Sequence, residues 1–127
     1  MSIRSQEAGG RPPPAEALPI SAIHHVEIWS GNAKQSEFFY RKAFGFSRIA
    51  YAGPETGLRD RASYVLAQDE VRLVVSSPVG EGGEMNRWLA AHGDGVRDIA
   101  FSTSDVDLCQ RESLARGARE EIAPKDL

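Results

Sequence analysis

Residues 23–46 constrain the fold of this chain most strongly, because they predict a strand, a turn and a helix in immediate succession. A strand turns successive side chains to opposite faces. One face carries His and Glu and consists of Ile23, His25, Glu27 and Trp29. The other face is mostly apolar and consists of His24, Val26 and Ile28. This pattern predicts a sheet that packs on a helix from one side and opens to a polar cavity on the other.

The helix that follows this strand has defined ends. Asn32 stands at the N-cap position, and Gln35 follows three residues later, where its amide can reach back to the cap. Apolar side chains recur at four-residue spacing and predict a broad inner side, formed by Phe39, Ala43, Tyr40 and Phe44. Gly45 predicts the end of the helix, because glycine readily adopts the left-handed backbone of a helix terminus.

Three further strands are predicted after this helix. Residues 46–51 are apolar and aromatic, and a loop rich in turn-forming residues covers 53–57. Residues 61–67 and 71–76 both alternate between two faces, and the short polar stretch between them predicts a hairpin. Residues 22–77 therefore predict the order β-α-β-β-β.

The β-α order then begins a second time. Residues 78–94 predict a linker with one short helix, and 96–103 predict a strand. Thr103 or Ser104 is expected to cap a last helix. Because 95–127 holds only a strand and a helix, we interpret it as a partial second copy of the first module.

The N-terminal segment differs from the rest of the chain. Residues 1–19 are polar and contain three consecutive prolines, a composition that predicts a disordered leader. A single domain is then predicted over 20–127, with a complete module, a linker helix and a partial module.

Composition excludes several classes of function. The net charge of −3 provides no basic field for nucleic acid or an anionic membrane. No apolar run reaches the roughly 18 residues that a membrane span needs. Cys109 is the single cysteine, so no internal disulfide forms. Residues 1–10 lack the apolar core of a signal peptide, and a cytoplasmic location is expected.

Several sequence strings occur in an order that carries a family resemblance. They are GNAKQ at 31–35, FFYRKAFGF at 38–46, YAGPETG at 51–57, ASYVL at 62–66 and HGDGVRDIAF at 92–101. From about Ile20 onward, the chain resembles the N-terminal domain of the 4-hydroxyphenylpyruvate dioxygenase family. The hydroxymandelate synthases are close relatives, and both belong to the vicinal oxygen chelate superfamily with the glyoxalases and bleomycin-resistance proteins. The resemblance implies an α+β fold: a complete βαβββ vicinal-oxygen-chelate module followed by an incomplete one.

The resemblance also implies a chemistry. The family uses Fe(II) held by two His and one Glu, leaving positions for an aromatic 2-oxo acid and O₂, and it makes homogentisate in tyrosine catabolism. That iron lies in the C-terminal domain, which this chain does not match. No catalytic residue, metal site or cofactor is therefore predicted for this chain alone, and His25 is the only weak candidate for a metal ligand. His25 lies where the metal-binding domain has its first ligand, and the matching place in the second module is Asp98, where that domain has His.

Three residues are candidates for lining the predicted cavity: His25, Glu27 and Asp98. The alternative for His25 and Glu27 is that both are hydrogen-bonded or solvated polar groups. Asp98 lies in an apolar strand, so burial would require a partner such as Arg59 or Arg61. His24 and His25 are not expected to hold one metal together, because adjacent side chains in a strand diverge.

Two main hypotheses for function remain open. The first is the N-terminal part of a 4-hydroxyphenylpyruvate dioxygenase-like enzyme, or of one like hydroxymandelate synthase, with a scaffolding role and docking to a C-terminal domain. The second is a stand-alone dimeric protein of the glyoxalase and bleomycin-resistance type that binds a small ligand. A truncated, inactive remnant is the third.

Overall fold

A computed structural model describes residues 17–122 of the chain. Its strands and helices run as follows: β1 Ile20–Trp29, α1 Ala33–Phe44, β2 Ser47–Ala52, β3 Arg61–Gln68, β4 Val71–Pro78, α2 Gly83–His92, β5 Gly95–Thr103 and α3 Val106–Ala115. A short 3-10 turn, Pro54–Thr56, lies in the loop between β2 and β3. Within this described part, no helix is long and apolar enough to cross a membrane.

The chain forms two compact units, which are described separately. The larger unit is residues 23–101. The smaller one comprises the two flanking segments, of which 17–22 and 102–122 are described. The predicted leader at 1–19 falls mostly on residues outside the described part, and its disorder stays a prediction.

The sheet confirms the predicted order β-α-β-β-β. Five strands lie in the order β2-β3-β4-β1-β5. The hairpin of β3 and β4 is antiparallel, as is the pair of β2 and β3, while β1 runs parallel to β4. Asp69 makes the turn of the hairpin with a φ of 54°, a left-handed conformation that aspartate tolerates better than most residues. The interpretation of β5 and α3 as a partial second module stays a prediction.

The core of the larger unit lies between α1 and the strands β3 and β4. Its buried members are Ala33, Tyr64, Leu66 and Val75, with Tyr40, Phe46, Tyr51 and Leu73 packed against them. The predicted inner side of α1 is wrong in part, because Phe39, Ala43 and Phe44 are exposed. Ala33 and Glu37 are buried instead, and the Glu37 carboxylate is compensated by an ion pair with Arg41 one turn later.

The predicted ends of α1 are confirmed. The Asn32 side chain accepts a hydrogen bond from the backbone N–H of Gln35 at 3.0 Å. Gly45 has a φ of 81° and donates its N–H to the carbonyls of Tyr40 and Arg41. These bonds at the two ends satisfy backbone groups that a helix terminus otherwise leaves without a partner, so α1 is bounded by its own sequence.

The predicted cap of α3 is wrong by one or two residues. Asp105 is the N-cap, and its carboxylate accepts from the backbone N–H of Leu108 at 3.0 Å. Thr103 acts one step earlier, where its hydroxyl accepts from the N–H of Asp105 at 3.2 Å. Both side chains are good caps, and local turn geometry selects the carboxylate.

Candidate functional site

Glu27 is the centre of a hydrogen-bond network on the face of the sheet opposite α1. Its Oε2 atom accepts from Trp29 Nε1 at 3.2 Å and from Ser76 Oγ at 3.0 Å. The hydroxyls of Ser76 and Ser63 lie 2.6 Å apart. Because the Ser76 proton goes to the carboxylate, Ser63 donates to Ser76. The carboxylate therefore receives bonds from the Trp29 indole and from Ser76, and Ser76 in turn accepts from Ser63.

Strand register brings this network together. Trp29 lies opposite Ser76 in the parallel pair of β1 and β4, and Ser76 lies opposite Ser63 in the hairpin. Paired residues in a sheet share a face, and so do residues two apart on one strand. Glu27, Trp29, Ser76 and Ser63 therefore meet across three adjacent strands. Ser76 is fully buried, so its two hydrogen bonds replace the water that it loses.

Trp29 is the aromatic centre of the same face, with only 6% of its surface exposed. The guanidinium carbon of Arg97 lies 4.8 Å from its ring centroid and that of Arg61 lies 5.8 Å away. Trp88 of α2 meets the ring edge-on, with centroids 5.5 Å apart and planes at 80°. Since β5 supplies Arg97 and β3 supplies Arg61, the indole is flanked by cations from two other strands.

Glu27 lies on this face beside Trp29, and Asp98 does not join it, while the place of His25 on the same face stays a prediction. Arg97 stacks on Trp29, and Val96 lines a cavity on the other side of the sheet. Asp98 alternates with Arg97 and so lies on the side of Val96. The expectation that Asp98 is buried is also wrong, because its side chain is exposed and solvent takes the place of a partner.

The two adjacent histidines converge, which contradicts the expected divergence. Their Nδ1 atoms lie 2.9 Å apart, and the rings meet edge-on with centroids separated by 5.1 Å. Arg72 Nη1 lies 3.1 Å from the Nε2 atom of His24. His24 is exposed and His25 is half-buried, so the rings have the freedom to turn towards each other at the end of the paired part of β1.

A cavity of about 560 Å³ lies between α1, the end of β1 and the start of β5. Its polar end is formed around Asp94, whose two carboxylate oxygens accept from the backbone N–H of Gly31 at 3.0 Å and from Ser30 Oγ at 3.1 Å. Its apolar wall is formed by Ile28, Phe39, Tyr40 and Val96. A smaller cavity of about 280 Å³ lies beside Trp29 and Arg61. Neither cavity is lined by His25, Glu27 or Asp98.

The described residues do not fit a facial triad for Fe(II). Within 17–122, no group of three or more His, Cys, Asp or Glu side chains could hold a metal ion. Glu27 is turned towards Trp29 and Ser76, and Asp98 lies on the opposite side of the sheet from it. No chemical step through iron is therefore assigned to these residues.

Sequence reasoning missed the partners that define the site. Ser63, Ser76 and Arg97 lie in segments that were predicted as strands, but nothing local to them indicated which residues they meet. Strand register carries that information, and register depends on pairing between distant segments. The pattern of Glu27 and Trp29 two residues apart was the available signal, since an indole N–H next to a carboxylate on one face predicts a hydrogen bond.

Comparison with known proteins places this geometry in a family. Residues 22–126 match the family described as Glyoxalase/Bleomycin resistance protein/Dioxygenase superfamily. A curated relative, 4-hydroxyphenylpyruvate dioxygenase of Xenopus tropicalis, is 43% identical over 98 residues, which are 76% of this chain and 25% of the relative. The chain thus spans about a quarter of the length of the curated relatives it matches.

Solved structures agree with this assignment. A triple mutant of 4-hydroxymandelate synthase from Streptomyces coelicolor superposes with a TM-score of 0.80 at 35% identity, covering 84% of this chain and 32% of that chain. Methylmalonyl-CoA epimerase from Mycobacterium tuberculosis superposes with a TM-score of 0.70 at 19% identity, over 87% of this chain and 75% of that one, and shows the shared fold alone. The α+β prediction is confirmed, and the chain belongs to the Glyoxalase/Bleomycin resistance protein/Dioxygenase superfamily.

Proposed function

We propose that this chain forms the N-terminal part of a 4-hydroxyphenylpyruvate dioxygenase-like, Fe(II)-dependent oxygenase that acts on an aromatic 2-oxo acid. In this proposal the chain provides scaffolding and subunit contact, and the iron is held by residues outside it. The similarity to 4-hydroxyphenylpyruvate dioxygenases over a quarter of their length supports the parent activity. The bound Fe(II) would supply the activation of O₂.

One observation carries the scaffolding role. The polar groups on the face opposite α1 are engaged with one another, since Glu27 binds Trp29 and Ser76, and Arg61 and Arg97 lie against the indole. A carboxylate poised to bind metal or substrate needs free lone pairs directed into an open cavity. Here the acceptor atom is used within the sheet, which favours a structural role for Glu27.

A chimaera tests the proposal directly. The matching segment of the Xenopus tropicalis relative is replaced by this chain, and homogentisate formation from 4-hydroxyphenylpyruvate is measured with Fe(II). We expect the chimaera to retain turnover, and we expect Glu27→Gln in the chimaera to leave kcat within about twofold while lowering stability. Loss of kcat by several orders of magnitude in the Glu27 variant, with the fold intact, would contradict the scaffolding role.

The isolated chain provides the complementary measurement. After anaerobic Fe(II) loading and desalting, we expect no retained iron and no homogentisate. One iron per chain or per dimer, together with turnover, would make a stand-alone enzyme the better explanation. An alternative parent of the hydroxymandelate synthase type is supported by the similarity to 4-hydroxymandelate synthase.

A second candidate function is a stand-alone dimeric protein of the glyoxalase and bleomycin-resistance type that binds a small ligand. The cavity of about 560 Å³ favours it, because that volume lies within the range of small-molecule sites. Its polar end at Asp94 and its aromatic wall would suit a small amphipathic molecule. Sedimentation of the purified chain tests this candidate, since it requires a stable dimer and a monomer would contradict it.

A further inference from the structure

The cavity between α1, the end of β1 and the start of β5 lies outside the Glu27 network. Its volume of about 560 Å³ is that of a small-molecule site. The described residues that line it all belong to the larger unit, 23–101. Their charge, their hydrogen-bonding groups and their apolar surface therefore decide which class of ligand fits.

Hydrogen bonds at the polar end of this cavity run in one direction, towards Asp94. Ser30 donates its only hydroxyl proton to Asp94 Oδ2 at 3.1 Å. Ser36, whose Oγ lies 2.8 Å from Ser30 Oγ, therefore donates to Ser30. The backbone N–H of Gly31 donates to Asp94 Oδ1 at 3.0 Å, and that of Asn32 donates to Ser30 Oγ at 3.2 Å. These protons are all used within the network, whereas lone pairs of Ser36 and Asp94 remain for a ligand.

The charge of the polar end is negative. Asp94 carries the only charge among the described residues that line the cavity, and the side-chain amides of Asn32 and Gln35 are neutral. A carboxylate has about four acceptor positions, and on Asp94 Gly31 and Ser30 occupy two of them. Asp94 is also exposed, so its other acceptor positions are accessible. The polar end therefore favours a cationic group with N–H donors, such as a protonated amine.

The rest of the lining is apolar and aromatic. Phe39 and Tyr40 meet edge-on with ring centroids 5.4 Å apart, and Ile28 and Val96 add aliphatic surface. Phe39 is 54% exposed and Val96 is 53% exposed, so both have apolar surface that a ligand would remove from water. Aromatic rings also attract a cation. We propose that this cavity binds an amphipathic organic cation, with its protonated amine at Asp94 and its apolar body against Phe39 and Val96.

Asp94 differs from Glu27 in the features that a binding carboxylate needs. Glu27 lines neither cavity, and its bonds go to side chains of the sheet. Asp94 lies in the wall of a cavity and keeps acceptor positions that the network does not use. The inference sharpens the second candidate function by giving the charge of its ligand. It rests neither on the dimer that this candidate requires nor on the oxygenase.

Calorimetric titration of the untagged, full-length chain with 2-phenylethylammonium tests the proposal. Neutral 2-phenylethanol and anionic phenylacetate are the matched ligands, because they keep the ring and change the charge. We expect one ammonium per chain, bound at least about tenfold more tightly than the alcohol, with phenylacetate the weakest of the three. In nuclear magnetic resonance spectra, the amide signals of Gly31 and Gly95 should move with the ammonium. The indole N–H of Trp29, on the other face of the sheet, should not.

Three variants separate the contributions of charge and apolar surface. Asp94→Asn keeps one carbonyl acceptor for the network and should abolish the preference for the ammonium over the alcohol. Phe39→Ala should weaken both ligands severalfold and keep that preference, and its exposed position means that the fold is retained. Asp98→Asn is the matched control, since it removes an exposed carboxylate of β5 outside the lining. It should leave both affinities within about twofold.

Any one of three results would overturn the proposal. They are no saturable binding of the ammonium below about 10 mM, binding of phenylacetate as tight as that of the ammonium, and equal losses of affinity in Asp94→Asn and Asp98→Asn. The comparison of the three ligands uses the unchanged chain, so it holds even where Asp94→Asn folds poorly. Sedimentation and iron loading of the same samples test the dimer and the oxygenase separately, which keeps a failure of this site distinguishable from a failure of either function.

Discussion

The strands β4 and β5 are both hydrogen-bonded to β1, one on each side, and they differ in burial. β4 has three buried residues, and Val75 among them is 0% exposed. β5 has none over its nine residues, and Val96 is 53% exposed. The sequences VRLVVSSP of β4 and GVRDIAFST of β5 both mix apolar and polar side chains, so the presence of apolar residues by itself does not decide burial.

The difference comes from what covers each strand. α1 packs on β3 and β4, so Val75 and Leu73 lie under Ala33 and Tyr40. The other face of β4 is covered at Ser76 by the network of Glu27. On β5, the side chains of Ile99 and Phe101 remain about half exposed. A strand pattern therefore predicts which side chains share a face, and only the packing of another element predicts how deeply they are buried.

The largest expected effect tests this comparison with one substitution on each strand. Val75→Ala removes two methyl groups from a fully buried position and should lower the free energy of unfolding by about 2 kcal/mol. Val96→Ala, its matched control on β5, should change it by less than about 0.5 kcal/mol. Urea denaturation measures both values. Equal losses would mean that β5 is as well covered as β4.

The next effect concerns the polar face of β4. Ser76→Ala removes a donor to Glu27 and the acceptor of Ser63, and it should cost about 1–2 kcal/mol of unfolding free energy. Ser47→Ala on the exposed strand β2 is the control and should be close to neutral. Chemical denaturation of both variants measures the two changes in the free energy of unfolding. A neutral Ser76→Ala would show that the network contributes nothing to stability.

A smaller effect measures what β5 contributes through the contact of Arg97 with Trp29. Arg97→Ala removes the closer of the two guanidiniums and should cost about 0.5–1 kcal/mol. Arg87→Ala, at an exposed position of α2, controls for the loss of charge. The coupling is obtained from a double-mutant cycle with Trp29→Leu, and additive losses in that cycle would exclude a direct contact.

The smallest effect concerns the exposed hydrogen bond between Tyr51 and Glu55, which lies outside β4 and β5. It shows how little an exposed contact contributes in comparison with the buried ones. Tyr51 Oη donates to Glu55 at 2.9 Å, and this hydrogen bond raises the pKa of Tyr51 above 10.0. The pKa of Glu55 is lowered from 4.5, first by hydrogen bonding to its own backbone and then by Tyr51. Stability from Glu55 is therefore present above about pH 4.5 and is lost as pH falls through the folded pKa. Stability from Tyr51 is present below about pH 10 and is lost as pH rises through its folded pKa.

Tyr51→Phe tests this pair. Titration by nuclear magnetic resonance should show the pKa of Glu55 moving part of the way back towards 4.5, with the backbone contribution remaining. Gly53→Ala should have a similar result, because a Cβ atom there would meet the Tyr51 hydroxyl and displace the ring. An unchanged pKa of Glu55 in both variants would show that the phenol is not its partner.

Much of the fold was predictable because it is coded locally. The order of the first module, the cap at Asn32 and the stop at Gly45 all follow from residues a few positions apart. Burial was less predictable: the apolar spacing of Phe39, Ala43 and Phe44 did not reveal that a glutamate two residues before Phe39 is buried. Glu37 could take that place because Arg41, one turn later, compensates its charge.

The candidate site was predictable only in part. The shared face of Glu27 and Trp29 followed from strand spacing, while the partners of Glu27 on other strands depended on the register between β1, β3 and β4. The prediction for Asp98 was wrong because it treated Asp98 in β5 as equivalent to His25 in β1. Equivalent positions in two copies of a module do not have to lie on the same face of the sheet. The convergence of His24 and His25 depends on side-chain rotation, and strand geometry alone predicts the opposite.

The packing of Trp29 against Trp88 gives this protein an internal optical probe. The chain contains two tryptophans, and the structure puts both at one place, with ring centroids 5.5 Å apart. Indoles at that distance and angle couple electronically, so near-ultraviolet circular dichroism and fluorescence report on the junction of α2 with β1. An unfolding curve followed by tryptophan emission will thus record the separation of α2 from the sheet, and comparison with a backbone signal will show whether that separation precedes loss of the core.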